Sequence, residues 1–224
     1  MQPVVRLRSA VCLLDRFPAL AGVDLDVDAG EVVLISGGNG AGKSTLLRLL
    51  AGLVPVHSGE AEVLGCDLIH DRRSHRRSLA LVGHESGCYD DLTVRENLRF
   101  AIRAADAPVA DADAALEQLG LEPLADIVHR RLSAGQRRRL AVAIAVARGP
   151  RLLLLDEPHA GLDAEGRAVL DEVVAGSRDA GRTVVLSSHE LDRTRPLASR
   201  EVVLTAGQAH GSVPAGRPRE AANA

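Results

Sequence analysis

Gly37-Gly38-Asn39-Gly40-Ala41-Gly42-Lys43-Ser44-Thr45 is the stretch from which the rest of this chain can be read. It fits G-x-x-x-x-G-K-[ST], in which the backbone N–H groups of a glycine-rich loop cradle phosphates. Lys43 is the only lysine; the other 26 of the 27 basic side chains are arginine. Guanidinium is a wide planar fork, whereas ammonium is a compact point charge on a thin stem that enters between phosphate oxygens. Upstream, residues 31–36 (Glu-Val-Val-Leu-Ile-Ser) form the continuous apolar run of a buried strand. Downstream, residues 44–53 carry leucines at helical spacing. A glycine turn could merely cap a helix, but strand, glycine loop and helix in this order are the context a phosphate loop requires.

Further out, residues 23–28 alternate apolar and acidic as a half-exposed strand would, and Gly30 marks a turn. Short strands are expected at 60–64 and 78–82. Residues 85–149 read as mainly helical, with helices over 93–105, 111–119 and 135–148. The first opens on a capping box, Thr93 and Glu96. Strands at 152–156, 183–187 and 200–205 and a helix at 164–180 complete the pattern. Buried strands alternating with helices imply an α/β fold with a mostly parallel sheet. The expected organisation is a discontinuous α/β core, 1–84 and 150–213, an inserted helical subdomain, 85–149, and a disordered tail, 214–224.

Composition removes several functions. A chain of 224 residues with 46% hydrophobic content can bury a core, and a net charge of −3 gives no pull toward nucleic acid. Phe17, Tyr89 and Phe100 are the only aromatics, too few for a base-stacking platform or a membrane belt. Cys12, Cys66 and Cys88 are scattered, without metal-ligand spacing, and read as reduced core thiols. No signal-length apolar run opens the chain, and no stretch approaches the ~20 residues of a membrane span. The cluster His70-Asp71-Arg72-Arg73-Ser74-His75-Arg76-Arg77 reads as a solvated surface, with contact to anionic lipid headgroups as the alternative.

Several short motifs carry chemistry. Lys43 would reach the β/γ-phosphates of a nucleotide, Ser44 would hold Mg²⁺, and Thr45 would face the α-phosphate. Leu152-Leu153-Leu154-Leu155-Asp156-Glu157-Pro158 puts two carboxylates at the C-terminal edge of a strand, where ligands of open α/β sheets bind. Asp156 suits the Mg²⁺ shell and Glu157 suits polarising an attacking water. In Leu132-Ser133-Ala134-Gly135-Gln136, Ser133 and Gln136 form a second capping box, and a capped helix N-terminus is also an anion site. His189 follows a buried strand in Ser187-Ser188-His189-Glu190, and Asp163 ends Ala160-Gly161-Leu162-Asp163 as a helix N-cap.

Together and in this order, across about residues 5–210, these motifs resemble those of ATP-binding-cassette ATPases. The resemblance implies a P-loop ATPase fold with an antiparallel β part beside the parallel sheet. It implies ATP and Mg²⁺ as ligands. Catalysis falls to Glu157, His189 and Lys43, with nucleotide held by Gly37 to Thr45. Ser133, Gly135 and Gln136 would reach the γ-phosphate of a second copy, with Asp163 communicating across the dimer. It also implies a homodimer or paired ATPase subunit, peripheral on the cytoplasmic face of the cell membrane, driving a separate polytopic permease and binding no nucleic acid. Leu81-Val82-Gly83-His84-Glu85-Ser86-Gly87 and Leu92-Thr93-Val94-Arg95-Glu96-Asn97-Leu98, with Leu-Ser-Ala-Gly-Gln-x-Arg-Arg, further resemble the heme-exporter ATPases of cytochrome c biogenesis.

Two positions depart from the family pattern. His84 stands where most cassette ATPases have a Gln that touches Mg²⁺ and couples to the membrane subunit. Imidazole titrates near neutrality and has a different geometry. The adenine-stacking aromatic would fall on Leu14 by an ungapped count, and Phe17 is the nearby ring that could replace it. The competing classes are the ATPase of another exporter and a non-transport ATPase acting on ribosomes or DNA. The paired cassettes or long coiled coils of the latter are missing from this sequence.

Overall fold

The computed structural model describes residues 3–83, 87–105 and 112–214. The chain begins with β1 (Val5–Leu14), β2 (Phe17–Val27), β3 (Val32–Ser36) and α1 (Lys43–Leu50). Next come β4 (Ser58–Val63), β5 (Cys66–Asp67), β6 (Leu79–Val82), α2 (Val94–Ala104), α3 (Ala112–Gln118) and α4 (Ala134–Ala147). The last elements are β7 (Leu152–Asp156), α5 (Ala164–Asp179), β8 (Thr183–Ser187), α6 (Leu191–Thr194), β9 (Arg200–Thr205) and β10 (Gln208–Pro214).

Six strands form a sheet in the order β10-β9-β3-β8-β7-β6, parallel except for the β9–β10 hairpin. Four more form an antiparallel sheet, β2-β1-β4-β5. The four leucines of β7 show why the central strands read as unbroken apolar runs. Leu152 and Leu154 face one core, with α1 and the antiparallel sheet; Leu153 and Leu155 face the other, with α2 to α5. Each is fully buried, so truncating one to Ala would cost about 2–5 kcal/mol. The apolar side chains of α2, α3 and α4 therefore share one continuous cluster with the sheet and α5. Both expected capping boxes form, Thr93 with Glu96 and Ser133 with Gln136.

One strand was not foreseen, and three expectations needed correction. Residues 5–14 form a strand that the sequence pattern obscured. Ser9 takes φ 46° and the pairing register shifts between Leu7 and Ala10, so the inward-facing phase flips halfway along. A bulge destroys the period of two on which strand reading depends. Pro214, assigned to the tail, closes β10. In the basic cluster, His75 is buried and its Nε2 meets the Leu50 carbonyl at 3.0 Å, while Arg76 donates to the Gly52 carbonyl. These two cap the C-terminal end of α1, where cations and donors are favoured, and are not solvated surface. Of the three thiols, Cys12 is fully buried in the core, its pKa raised by burial; Cys88 is half-buried against the other core cluster, and Cys66 is half-buried.

Candidate functional site

β3 ends at Ser36 and delivers the glycine loop to the start of α1. Two glycines are required there on steric grounds. Gly37 has φ 142°, and an added Cβ would lie 2.2 Å from the Leu204 carbonyl oxygen; Gly42 has φ 104°, and its Cβ would lie 2.6 Å from the Ala19 carbonyl oxygen. Gly38, Asn39 and Gly40 form the exposed crest of the loop, and Ala41 and Thr45 are buried at its base. Because α1 starts at Lys43, its unpaired N–H groups lie at the loop, where an anion is favoured. The Lys43 ammonium is buried and donates to the carbonyls of Gly37 at 2.9 Å and Gly38 at 3.2 Å.

The end of β7 meets this loop. Asp156 Oδ1 accepts from the Ser44 hydroxyl at 3.0 Å and from the Ser187 hydroxyl at 2.7 Å. Ser187 Oγ in turn accepts from the Glu157 N–H at 3.0 Å. Glu157 is held at φ 47°, a left-handed conformation that costs a non-glycine residue about 1–2 kcal/mol. Its carboxylate lies between two groups from other elements. Oε2 accepts from the His189 N–H at 3.2 Å and is 2.8 Å from His189 Nδ1; Oε1 is 3.8 Å from Lys43 Nζ. Lys43, Ser44, Asp156, Glu157 and His189 thus converge on one point, although 146 positions separate the first from the last. No group of three or more His, Cys, Asp or Glu among the described residues is arranged to hold a metal ion by itself. One hydroxyl and one carboxylate fit Mg²⁺, which keeps several waters and takes its remaining oxygens from substrate phosphates.

The other candidates lie apart from that point. Ser133 and Gln136 cap α4, with Ser133 N–H to Gln136 Oε1 at 2.8 Å. Asp163 caps α5, accepting from the Gly166 N–H at 2.8 Å. These two helix starts are neighbours, since a Cβ on Gly135 would sit 3.4 Å from the Gly161 carbonyl oxygen. Among the described residues, no hydrogen bond links Ser133, Gly135, Gln136 or Asp163 to Lys43, Ser44, Asp156, Glu157 or His189. Phe17 is 77% exposed beside the two-residue turn that joins β1 to β2, two positions from Ala19 and its contact with the loop. His84 lies outside the described residues.

The profile of the ABC transporter family matches residues 20–160. The chain belongs to the ABC transporter family. It is an ABC-type ATPase, converting ATP and water to ADP and phosphate. The cytochrome c biogenesis ATP-binding export protein CcmA of Bordetella bronchiseptica is 43% identical over 169 residues, 75% of each chain. Its namesake CcmA 1 of Salmonella paratyphi A is 39% identical over 206 residues, 92% of this chain and 99% of that protein. The methionine import ATP-binding protein MetN of Caulobacter vibrioides is 38% identical over 85% of this chain and 60% of its own. A solved ATP-binding subunit of an ABC transporter superposes with a TM-score of 0.87 at 26% identity, covering 94% of this chain and 90% of the other.

In this ABC ATPase, three residues that sequence reading did not single out shape the site. Ser187, fully buried, joins Asp156 to the Glu157 backbone; the only clue was its place in Ser187-Ser188-His189-Glu190. His159 is buried two residues after Glu157, with Nε2 2.8 Å from Asp171 Oδ1, and Arg193 donates to Asp171 Oδ2 at 3.1 Å. Burial lowers the His159 pKa, outweighing the Asp171 carboxylate, which raises it. Arg138, in the first turns of α4, donates to the backbone around Glu157. Burial lowers its pKa while the charges of Asp156 and Glu157 raise it, and an arginine stays cationic throughout.

Proposed function

We propose that this ATPase energises a separate polytopic membrane permease in cytochrome c biogenesis, with heme or a heme-bearing species as cargo. The family activity is ATP hydrolysis; the system is inferred from the CcmA relatives and from the Gly83-His84 and Leu-Ser-Ala-Gly-Gln motifs. No helix among the described residues is long and apolar enough to cross a membrane; the peripheral place on the cytoplasmic face is part of this proposal and follows from the family resemblance.

The convergence of Lys43 and His189 on the Glu157 carboxylate carries the mechanism. Lys43 gives up its bonds to Gly37 and Gly38 for the β- and γ-phosphate oxygens, balancing their charge. Glu157 accepts a proton from the attacking water as its oxygen bonds to the γ-phosphorus and the bond to the β-phosphate oxygen breaks. His189 holds Glu157 and reads the γ-phosphate beside it. Ser44 and Asp156 would hold Mg²⁺, which when bound neutralises phosphate charge. Phe17 offers its exposed ring to adenine. Ser133, Gly135, Gln136 and Asp163 make no bonds to this chain's own cluster, which supports their completing the site of a second copy. We further propose that 85–149 acts as the unit that presents Ser133 to Gln136, on the core formed by 1–84 and 150–213.

Glu157→Gln should keep ATP binding, accumulate an ATP-bound dimer and lower turnover at least ~10²-fold, as loss of a base does. Unchanged turnover removes Glu157 from that role. Affinity purification from membranes tests the system: a permease encoded with cytochrome c maturation proteins supports it. Recovery of an amino-acid permease or of ribosomes would replace it.

A further inference from the structure

We infer that Arg138 is a positioning residue that ties helix α4, which Ser133 caps, to the catalytic turn at Glu157. The observation is where its guanidinium goes. Nη1 donates to the carbonyl of Gly83, just beyond the end of β6. Nη2 donates to the carbonyls of Asp156 and Glu157, the latter at 2.9 Å, and Nε is 3.3 Å from the Pro158 carbonyl. One side chain from the helical region therefore binds three consecutive carbonyls of one sheet strand's exit and one of its neighbour's. The adjacent arginines do nothing comparable. Arg137 donates to the Arg130 carbonyl and Arg139 to those of Leu119 and Gly120, all outside the sheet.

The chemistry explains why an arginine is needed. Glu157 turns left-handed, and the oxygens of residues 156, 157 and 158 all come within reach of one cation. Carbonyls turned inward need donors, and a planar fork supplies several at fixed angles where an ammonium supplies a point charge. Arg138 sits five positions after Ser133, the cap of the same helix. Any displacement of that cap relative to the sheet must either carry the 156–158 backbone with it or break these bonds. The site that would engage a second copy's nucleotide is thus joined mechanically to the carboxylate that serves this copy's nucleotide. Arg138 touches no substrate in this scheme; it acts through Glu157, and the inference rests on the reading of Glu157 given above.

The test compares Arg138→Gln, Arg138→Lys and Arg139→Gln in the purified full chain, with Glu157→Gln in parallel. Steady-state hydrolysis gives kcat and KM, and a fluorescent ATP analogue gives Kd. Misplacing a reacting group by about 1 Å can cost 10²-fold, so both Arg138 variants should lose about 10- to 100-fold in kcat with Kd nearly unchanged. Lysine should not rescue, and Arg139→Gln should behave as the parent. Arg138→Lys keeps the stem and the charge, and so carries the test if Arg138→Gln does not fold. Unchanged kcat in Arg138→Lys overturns the inference. So does a loss in which Kd weakens as much as kcat falls, which would make the role merely structural. If Glu157→Gln itself retains full turnover, the reading of Glu157 fails and the inference goes with it; if only the Arg138 variants retain it, the inference fails alone.

Discussion

Lys43 is the one position where this arginine-using chain turns to ammonium, and its surroundings explain the choice. Its Nζ is buried in a loop whose own carbonyls, Gly37 and Gly38, lie at 2.9 and 3.2 Å. A guanidinium would have to spread its fork in that space. Lys43→Arg, which keeps the charge, should still remove most ATPase activity, about 10²-fold or more by the cost of misplaced charge at a reacting centre. Phosphate-release kinetics will show it, and near-parental turnover would reject the steric argument. Ser187 makes a different demand. Its hydroxyl donates to Asp156 and accepts from Glu157 N–H, so Ser187→Ala removes two hydrogen bonds and leaves the Glu157 N–H only the Ser187 carbonyl at 3.2 Å. It should lower stability by about 1–3 kcal/mol in urea melts and raise the Mg²⁺ concentration needed for half-maximal hydrolysis. Lys43, Asp156, Glu157 and His189 were all legible as residues, because each sits in a short motif whose chemistry depends on local spacing. Ser187 and Arg138 were not, because what they do depends on oxygens 18 to 55 positions away.

At the scale of elements, two helices begin with the same device and should respond differently to its loss. Thr93 caps α2 and Ser133 caps α4, each with a reciprocal bond from the residue three further on. Replacing either by alanine should cost about 1 kcal/mol of stability. Thr93→Ala should stop there, with kcat unchanged. Ser133→Ala should also depress hydrolysis, since the proposed second copy then meets a site lacking a hydroxyl. Equal kcat values for the two variants would return Ser133 to a purely capping role. Helix starts were readable because a cap is a local interaction. Strand β1 was not: a single residue at Ser9, in a left-handed conformation, reverses which side chains face the core. The basic run at 70–77 misled for a related reason, since burial of His75 and capping by Arg76 depend on α1 ending beside them.

At the scale of the whole molecule, three imidazoles are buried among the described residues, His75, His129 and His159, and burial depresses the pKa of His75 and of His159 below the ordinary 6.5. His75 faces the Leu50 carbonyl, Arg76 and Asp71; His159 faces Asp171, Arg193 and Glu190. As pH falls through 6.5 the unfolded chain takes up protons that the folded chain refuses, so the folded state loses stability. The full contribution is present above that value. Thermal unfolding should therefore shift downward between about pH 7 and 5.5, and His159→Gln with His75→Gln should flatten the dependence. A second expectation concerns assembly. With Ser133 to Gln136 separate from Lys43 and Glu157 in one copy, hydrolysis per mole should rise with protein concentration. Constant specific activity from a demonstrated monomer would exclude the dimeric site.

Sequence spacing alone was enough for the α/β class, the glycine loop and the carboxylate pair, because these rest on contacts within a few residues or on one strand; the family was legible as a resemblance, from the order of several motifs along the chain. The closing of the site is a matter of the fold. Parallel β3, β7 and β8 bring Lys43, Glu157 and His189 to a common sheet edge. A helix from elsewhere in the chain then grips the Glu157 turn through Arg138. Backbone carbonyls are identical at every position, so no residue pattern announces which of them a buried guanidinium will find.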